Sequence, residues 1–225
     1  EDQVGQVRRA HRLSPQDANS IREGALFPVW ADQPNFGYGD ISVRFYPPLA
    51  YYLLYVFQLL SGNWFDATML FVISMFFVCA VGMYSLASEW FPKNSALFAG
   101  IVSIFLPYHM MQIYVGTLFA EFTAAAVLPF CFLFVTKVSR NGKWHDLLGL
   151  TISLSLLTLS HLPTTLMASV VLLLYSIFSL PRGVILNTIA RLAAAVGLSM
   201  ATTAFYWVRM ITELDWLQHN TERFS

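Results

Sequence analysis

The chain has 225 residues, of which 56% are hydrophobic, 16% aromatic and only 12% charged, and its 13 basic side chains balance 13 acidic ones. Soluble domains carry about a quarter charged residues, so composition excludes an ordinary water-soluble globule. A neutral balance with no basic tract also argues against nucleic acid as a partner.

The charge is unevenly placed. Residues 1–44 hold 11 of the 26 charges and residues 209–225 hold 5, which leaves 10 for the 164 residues between them. Residues 1–44 read as a polar cap punctuated by Ser14-Pro15, Pro34-Asn35 and Gly37-Tyr38-Gly39-Asp40, with one short helix predicted from Pro15 to Glu23. Residues 45–61 follow as an apolar stretch that opens on Pro47-Pro48 and carries four tyrosines. It could cross a membrane or lie along its surface.

Beyond it, the uncharged runs match the roughly 20 residues that cover a ~30 Å hydrocarbon core. They predict six crossings, at 66–89, 95–113, 119–138, 146–161, 163–180 and 184–208. The run from 147 to 181 would be about 52 Å long as one helix, so it must fold back. Proline supplies the break in Ser160-His161-Leu162-Pro163, because it removes a backbone donor and disfavours helix in the residue before it. Lys137, Arg140 and Lys143 mark the loop 137–145 as cytoplasmic, and the turns near Lys93 and Arg182 then fall on the same side. The turns at 114–120 and His161, with the tail from 209, fall on the opposite side. Cys79 and Cys131 sit inside apolar runs and read as small core residues, with no disulfide framework or metal cluster suggested.

Several titratable residues gather at that opposite face. Glu121 stands between long apolar runs, and an ionised carboxylate in a membrane helix costs roughly 2.5–3.5 kcal/mol on insertion scales, which makes a functional role the default. A helix-start carboxylate at the interface is the plainer alternative. His161 faces the same side, either as a turn histidine or as a ligand contact. His109, in Pro107-Tyr108-His109-Met110, lies about one turn deeper and reads as a hydrogen-bonded core residue unless it shares the same cavity. Glu213 and Asp215 follow the last crossing and reach this face too. A shared polar site is the economical reading.

In the polar cap, Glu1 and Asp2 precede Arg8, Arg9, His11 and Arg12. Such an arrangement can pair a general base with phosphate-binding guanidinium groups, although charged residues in a polar loop are more often simply solvated. No phosphate-cradling Gly-rich loop, His-Glu-x-x-His pair, Gly-x-Ser-x-Gly elbow or metal-spaced His/Cys cluster is present.

The blocks Arg22-Glu-Gly-Ala-Leu-Phe-Pro-Val-Trp30, Gly37-Tyr-Gly-Asp40 and Phe45-Tyr-Pro-Pro-Leu-Ala-Tyr-Tyr-Leu53 resemble the first external loop of GT-C membrane glycosyltransferases. The resemblance is nearest to the bacterial and archaeal branch of 6-pyruvoyl-tetrahydropterin synthase-related, or YfhO-like, membrane proteins. Pro107-Tyr-His, Ala120-Glu-Phe, Leu159-Ser-His and the stretch from Ala204 to Glu213 are similar to later blocks of that branch, in the same order. Two positions depart from it: Gly116 stands where an arginine is expected, and Gln112 where an acid is frequent.

This resemblance implies an all-α, polytopic transmembrane helical bundle with an external N-terminal loop containing interfacial helices. The external loop would be 1–65, the six-helix bundle 66–208 and the external tail 209–225, with a first membrane helix preceding Glu1. It implies a plasma (inner) membrane location with the active face extracytoplasmic. The implied activity is inverting transfer of a sugar from a polyprenyl phosphate to an acceptor hydroxyl. Asp2 would be the base, with Glu1 as second choice, and Arg8, Arg9, Arg44 and His161 would be donors to the departing phosphate. Glu121 matches an acid that helps hold a divalent metal in some GT-C enzymes, so Mg or Mn is the cofactor to consider, and His109 and Glu213 complete the candidate set. The partners implied are the lipid bilayer and a lipid-linked sugar donor. The rival reading keeps the fold and drops the reaction, as a structural or accessory subunit packed against other membrane protein subunits.

Overall fold

The computed structural model describes residues 45–114, 116, 118–140, 142–180 and 185–213. Glu1, Asp2, Arg8, Arg9, Arg44, the helix expected at 15–23 and Asp215 lie outside the described residues.

The described chain is an all-α bundle. In order, the helices are α1 (Leu49–Ser61), α2 (Trp64–Ala87), α3 (Lys93–Ile104), α4 (Pro107–Tyr114), α5 (Phe119–Arg140), α6 (Trp144–Ser160), α7 (Leu162–Ser179), α8 (Ile185–Thr202) and α9 (Ala204–Thr212). Among the described residues, five stretches are long and apolar enough to cross a membrane: α2, α3 with α4, α5, α7 and α8. The architecture is therefore the polytopic helical bundle that the sparse central charge implies.

Local chemistry explains where the helices start and stop. Asn63 caps α2, its side-chain oxygen accepting from the Asp66 amide at 2.9 Å, which satisfies one free helix-start donor, while its amide group donates to the Asp66 carboxylate at 2.6 Å and holds the cap in place. Gly62, at φ 78°, closes α1 in the left-handed region that glycine occupies without steric cost. Pro163 sits in the first turn of α7, and His161 is the extended residue between α6 and α7, so the fold-back falls where expected.

Three boundaries differ from the sequence expectation. The crossing expected at 95–113 is interrupted at Phe105 and Leu106, because Pro107 has no amide hydrogen to offer and opens a new helix. The one expected at 184–208 breaks at Thr203, whose backbone leaves the helical conformation at φ −99°, ψ 5° and becomes the N-cap of α9. The one expected at 146–161 is α6, but its 17 residues make about 26 Å, short of the hydrocarbon thickness, and it is not among the five. The stretch 45–61, for which crossing and surface placement were both open, forms a 13-residue helix of about 20 Å, too short to span.

The bundle is organised around α5, whose membrane window is 61% buried against 11–28% for the other four spans. It packs against α1, α2, α4, α6, α7 and α8. Phe71, Phe122, Ala120 and Ala126 close one core with Ala50 and Leu54 of α1. Val127, Cys131, Val135 and Val138 of α5 join Leu150, Leu157, Leu172 and Ala195 in a second. Both cysteines are buried and unbridged, as their apolar context implies. Pro129 lies inside α5; its missing donor is tolerated because neighbouring helices, not lipid, surround it.

Hydroxyls stitch the remaining helices. Ser155 of α6 reaches Ser199 at 3.2 Å and Thr202 at 2.8 Å on α8, and Thr136 of α5 pairs with the Tyr175 hydroxyl of α7 at 2.6 Å. Such cross-helix bonds contribute about 0.6 kcal/mol each in a membrane, so they set register more than stability. Close approach needs small residues as well. A Cβ on Gly100 of α3 would come within 2.9 Å of the Ala80 carbonyl oxygen on α2, whereas one on Gly197 of α8 meets nothing within 4 Å. Gly100→Ala is therefore expected to destabilise the protein by about 1–3 kcal/mol and Gly197→Ala to leave stability unchanged or raise it by up to ~1 kcal/mol. Thermal unfolding in detergent measures both.

Candidate functional site

The N-terminal end of α5 meets the α6–α7 turn, the start of α4 and the segment that leads into α1. Glu121 occupies the first turn of α5, where the unpaired amides and the helix dipole favour a carboxylate. The Tyr108 hydroxyl of α4 donates a short hydrogen bond to Glu121 Oε1. The break at Pro107 is what turns this phenol toward the acid, since it starts α4 on a new first turn.

His161 stands at the same end. Its Nδ1 lies 2.7 Å from the Thr164 hydroxyl. Burial lowers its pKa from the ordinary 6.5, and the charge of Glu121 opposes that shift without cancelling it. The ring is accordingly neutral at pH 7. Tyr46, just before α1, feels the same carboxylate: burial raises its phenol pKa, Glu121 raises it further, and a hydrogen bond with Tyr51 works against both. A single acid thus acts electrostatically on groups from two other parts of the chain. Tyr206 of α9, 1% exposed, donates to the Phe45 carbonyl at 3.1 Å and anchors the segment that carries Tyr46.

His109 belongs to a layer behind this cluster. It is buried between the rings of Phe76 and Phe122, with Nε2 3.6 Å from the Cys79 sulfur and Nδ1 3.4 Å from Gln112 Oε1. Its neighbour Tyr108 links the two layers, with ring centroids 5.9 Å apart. The Gln112 carbonyl receives the Leu118 amide at 2.8 Å, which folds the chain back between α4 and α5. Glu213 follows α9 as its C-cap residue, its amide donating to the Arg209 carbonyl at 3.1 Å.

Of the sequence candidates, then, Glu121 and His161 are brought together and His109 lies one layer deeper. Asp2, Glu1, Arg8, Arg9 and Arg44 fall outside the described residues. Sequence reasoning passed over Tyr108, Thr164 and Tyr206. The signal for Tyr108 is present in Pro107-Tyr108-His109, where the proline begins a helix and so gives its second residue an end position. Among the described residues, no group of three or more His, Cys, Asp or Glu side chains could hold a metal ion. Glu121, with one oxygen engaged by Tyr108, does not make a divalent site on its own, and no step below is routed through a metal.

The profile of the 6-pyruvoyl-tetrahydropterin synthase related domain, described as a membrane protein, matches residues 43–223. The chain belongs to that family. No curated protein and no solved structure matches it. The match of this PTPS-related family takes in the whole Glu121 end together with every described helix.

The lowered His161 pKa carries a sign. A histidine kept neutral in the fold takes up a proton more readily when unfolded, so stability rises with pH between the folded value and 6.5 and is level above it. The unfolding temperature is expected to fall as pH drops from 7 to 5, and His161→Gln is expected to flatten that dependence. Melting curves across this range for the two proteins make the comparison.

Proposed function

We propose that this chain is the membrane module of a GT-C-like glycosyltransferase that transfers a sugar, with inversion, from a polyprenyl phosphate to an acceptor hydroxyl at the extracytoplasmic face. The observation that carries the reading is the meeting of Glu121, Tyr108, His161 and Tyr46 at one end of an otherwise apolar bundle. An acid, a neutral imidazole and phenols at a membrane-level site can engage a sugar's hydroxyls and a phosphate while the lipid tail remains in the bilayer. The resemblance of the first-loop blocks to GT-C enzymes supplies the reaction class.

In this reading Asp2 removes the proton of the acceptor hydroxyl as its oxygen forms a bond to the sugar's anomeric carbon. The bond from that carbon to the phosphate oxygen breaks, and the polyprenyl phosphate departs with the electron pair. Negative charge grows on the phosphate, where preorganised donors contribute most. In the tautomer that lets the Thr164 hydroxyl, 2.7 Å from Nδ1, be the donor, neutral His161 carries its proton on Nε2 and offers it as a hydrogen bond to the phosphate. Arg8, Arg9 and Arg44 are the cationic donors assigned to the same group. Tyr108 orients Glu121, whose second oxygen accepts from a hydroxyl of the sugar or the acceptor. The proposed sidedness rests on the basic loop 137–145 at the other end of α5, since the positive-inside bias favours the cytoplasm for such a loop.

Reconstituted protein assayed with a panel of polyprenyl-phosphate sugars tests the assignment. Asp2→Asn is expected to abolish transfer, and Glu121→Gln and His161→Gln to slow it about 100-fold or more, the scale of losing one preorganised group. Undiminished turnover in these variants would overturn the residue roles. Absence of transfer by the unmutated protein with every donor would favour the accessory-subunit reading instead.

A further inference from the structure

The opposite end of the bundle carries a groove that the proposed reaction does not use. It lies between the end of α2, the start of α3 and the faces of α5 and α7, and encloses about 520 Å³, within the range of ligand pockets. Leu86, Trp90, Phe91, Ala99, Phe132 and Tyr175 line it. The lining is almost wholly apolar, and the Tyr175 hydroxyl is already engaged by Thr136 at 2.6 Å. The rim is different in character. The Arg140 guanidinium sits 3.9 Å above the Trp90 ring. Arg140 and Lys137 converge on the Glu89 carboxylate at 3.5 and 3.8 Å, and both cations keep about a third of their side chains exposed. Two cations facing one carboxylate leave a net positive charge at the rim. Lys93, the first residue of α3, and Lys143, just before α6, add to the basic character of this end.

We infer that this groove holds one acyl chain of an anionic phospholipid, with its phosphate against Arg140 and Lys137. The dimensions agree with such a ligand. Phe132 lies eight residues before Arg140 on α5, about 12 Å deeper along the helix axis, so a chain lying in the groove runs inward from a headgroup at the rim. Trp90 lies in the turn just after α2 and Arg140 at the end of α5, at the depth where indoles and guanidinium groups meet headgroups. A zwitterionic lipid would fill the apolar walls and leave the excess cation unmatched, as would an apolar helix from another protein or a second copy of this chain. The rim charge therefore selects the anionic lipid.

Quenching of Trp90 by brominated lipid tests the inference. A protein retaining Trp90, with Trp30, Trp64, Trp144, Trp207 and Trp216 replaced by phenylalanine, is reconstituted in phosphatidylcholine vesicles. These contain equal mole fractions of acyl-brominated phosphatidylglycerol or acyl-brominated phosphatidylcholine. Phosphatidylglycerol is expected to occupy the site about fivefold more tightly, the factor supplied by one unmatched cation near a membrane surface. Arg140→Gln with Lys137→Gln is expected to abolish the preference. Native mass spectrometry of the unmutated protein, counting retained phosphatidylglycerol against phosphatidylcholine, gives the same comparison without tryptophan replacements. Equal quenching and equal retention of the two lipids would overturn the inference, as would a preference that survives both glutamines. Absence of quenching by either lipid, as expected for a groove filled by a protein helix, would overturn it too.

Discussion

In a hydrocarbon environment the peptide backbone has no hydrogen-bond partner but itself, and that constraint shapes this molecule throughout. The helices close their own ladders over most of their length, and buried serines and threonines return their hydroxyls to carbonyls one turn back, as Thr123, Thr151 and Ser153 do. Polar chemistry that needs an outside partner is left to the places where a ladder ends. The breaks at Pro107, His161 and Thr203 are such places, and each lies beside a residue of the Glu121 cluster or its support: Tyr108, Thr164 and Tyr206.

The central helix turns this constraint into an asymmetry. α5 is the most buried span, and its 22 residues reach about 33 Å from end to end. Glu121 occupies its first turn, and Lys137 and Arg140 its last, so both kinds of charge agree with the helix dipole. At one end an acid is surrounded by phenols and a neutral imidazole. At the other, two cations share one acid and one of them, Arg140, covers an indole. Exposed ion pairs of this kind contribute little to stability, about 0–1 kcal/mol, so their effect on what approaches the surface matters more than their effect on the fold. This asymmetry underlies the two proposals, a sugar-bearing phosphate being proposed at the acidic end and an anionic phospholipid at the basic one.

Much of the architecture was legible in the amino-acid order because it follows from charge spacing. Ten charges over 164 residues leave runs long enough to span, and the fold-back at His161 follows from the length of the 147–181 run and the position of Pro163. The splitting of two expected crossings was less accessible, since Pro107 and Thr203 sit within apolar runs that carry no charge to mark a boundary. The cluster itself was half legible. Glu121 and His161 stood out as polar groups with an energetic reason to be there. Tyr108 did not, because although Pro107 marks a helix start, nothing in the sequence says that the phenol meets Glu121, 13 positions away. The stacking of Arg140 on Trp90 was invisible for the same reason: 50 positions separate two residues that only the packing of α2 on α5 brings together.

The central claim is that the Glu121 end receives a lipid-linked phosphate from the bilayer. Photo-crosslinking with a diazirine-bearing polyprenyl phosphate, followed by mapping of the labelled peptides by mass spectrometry, addresses it most directly. The account predicts labels in the peptides around Tyr108–Phe119 and His161–Thr164, competed away by unlabelled polyprenyl phosphate. Labels confined to the Trp90–Arg140 end, or spread evenly along the lipid-facing helices without competition, would contradict it.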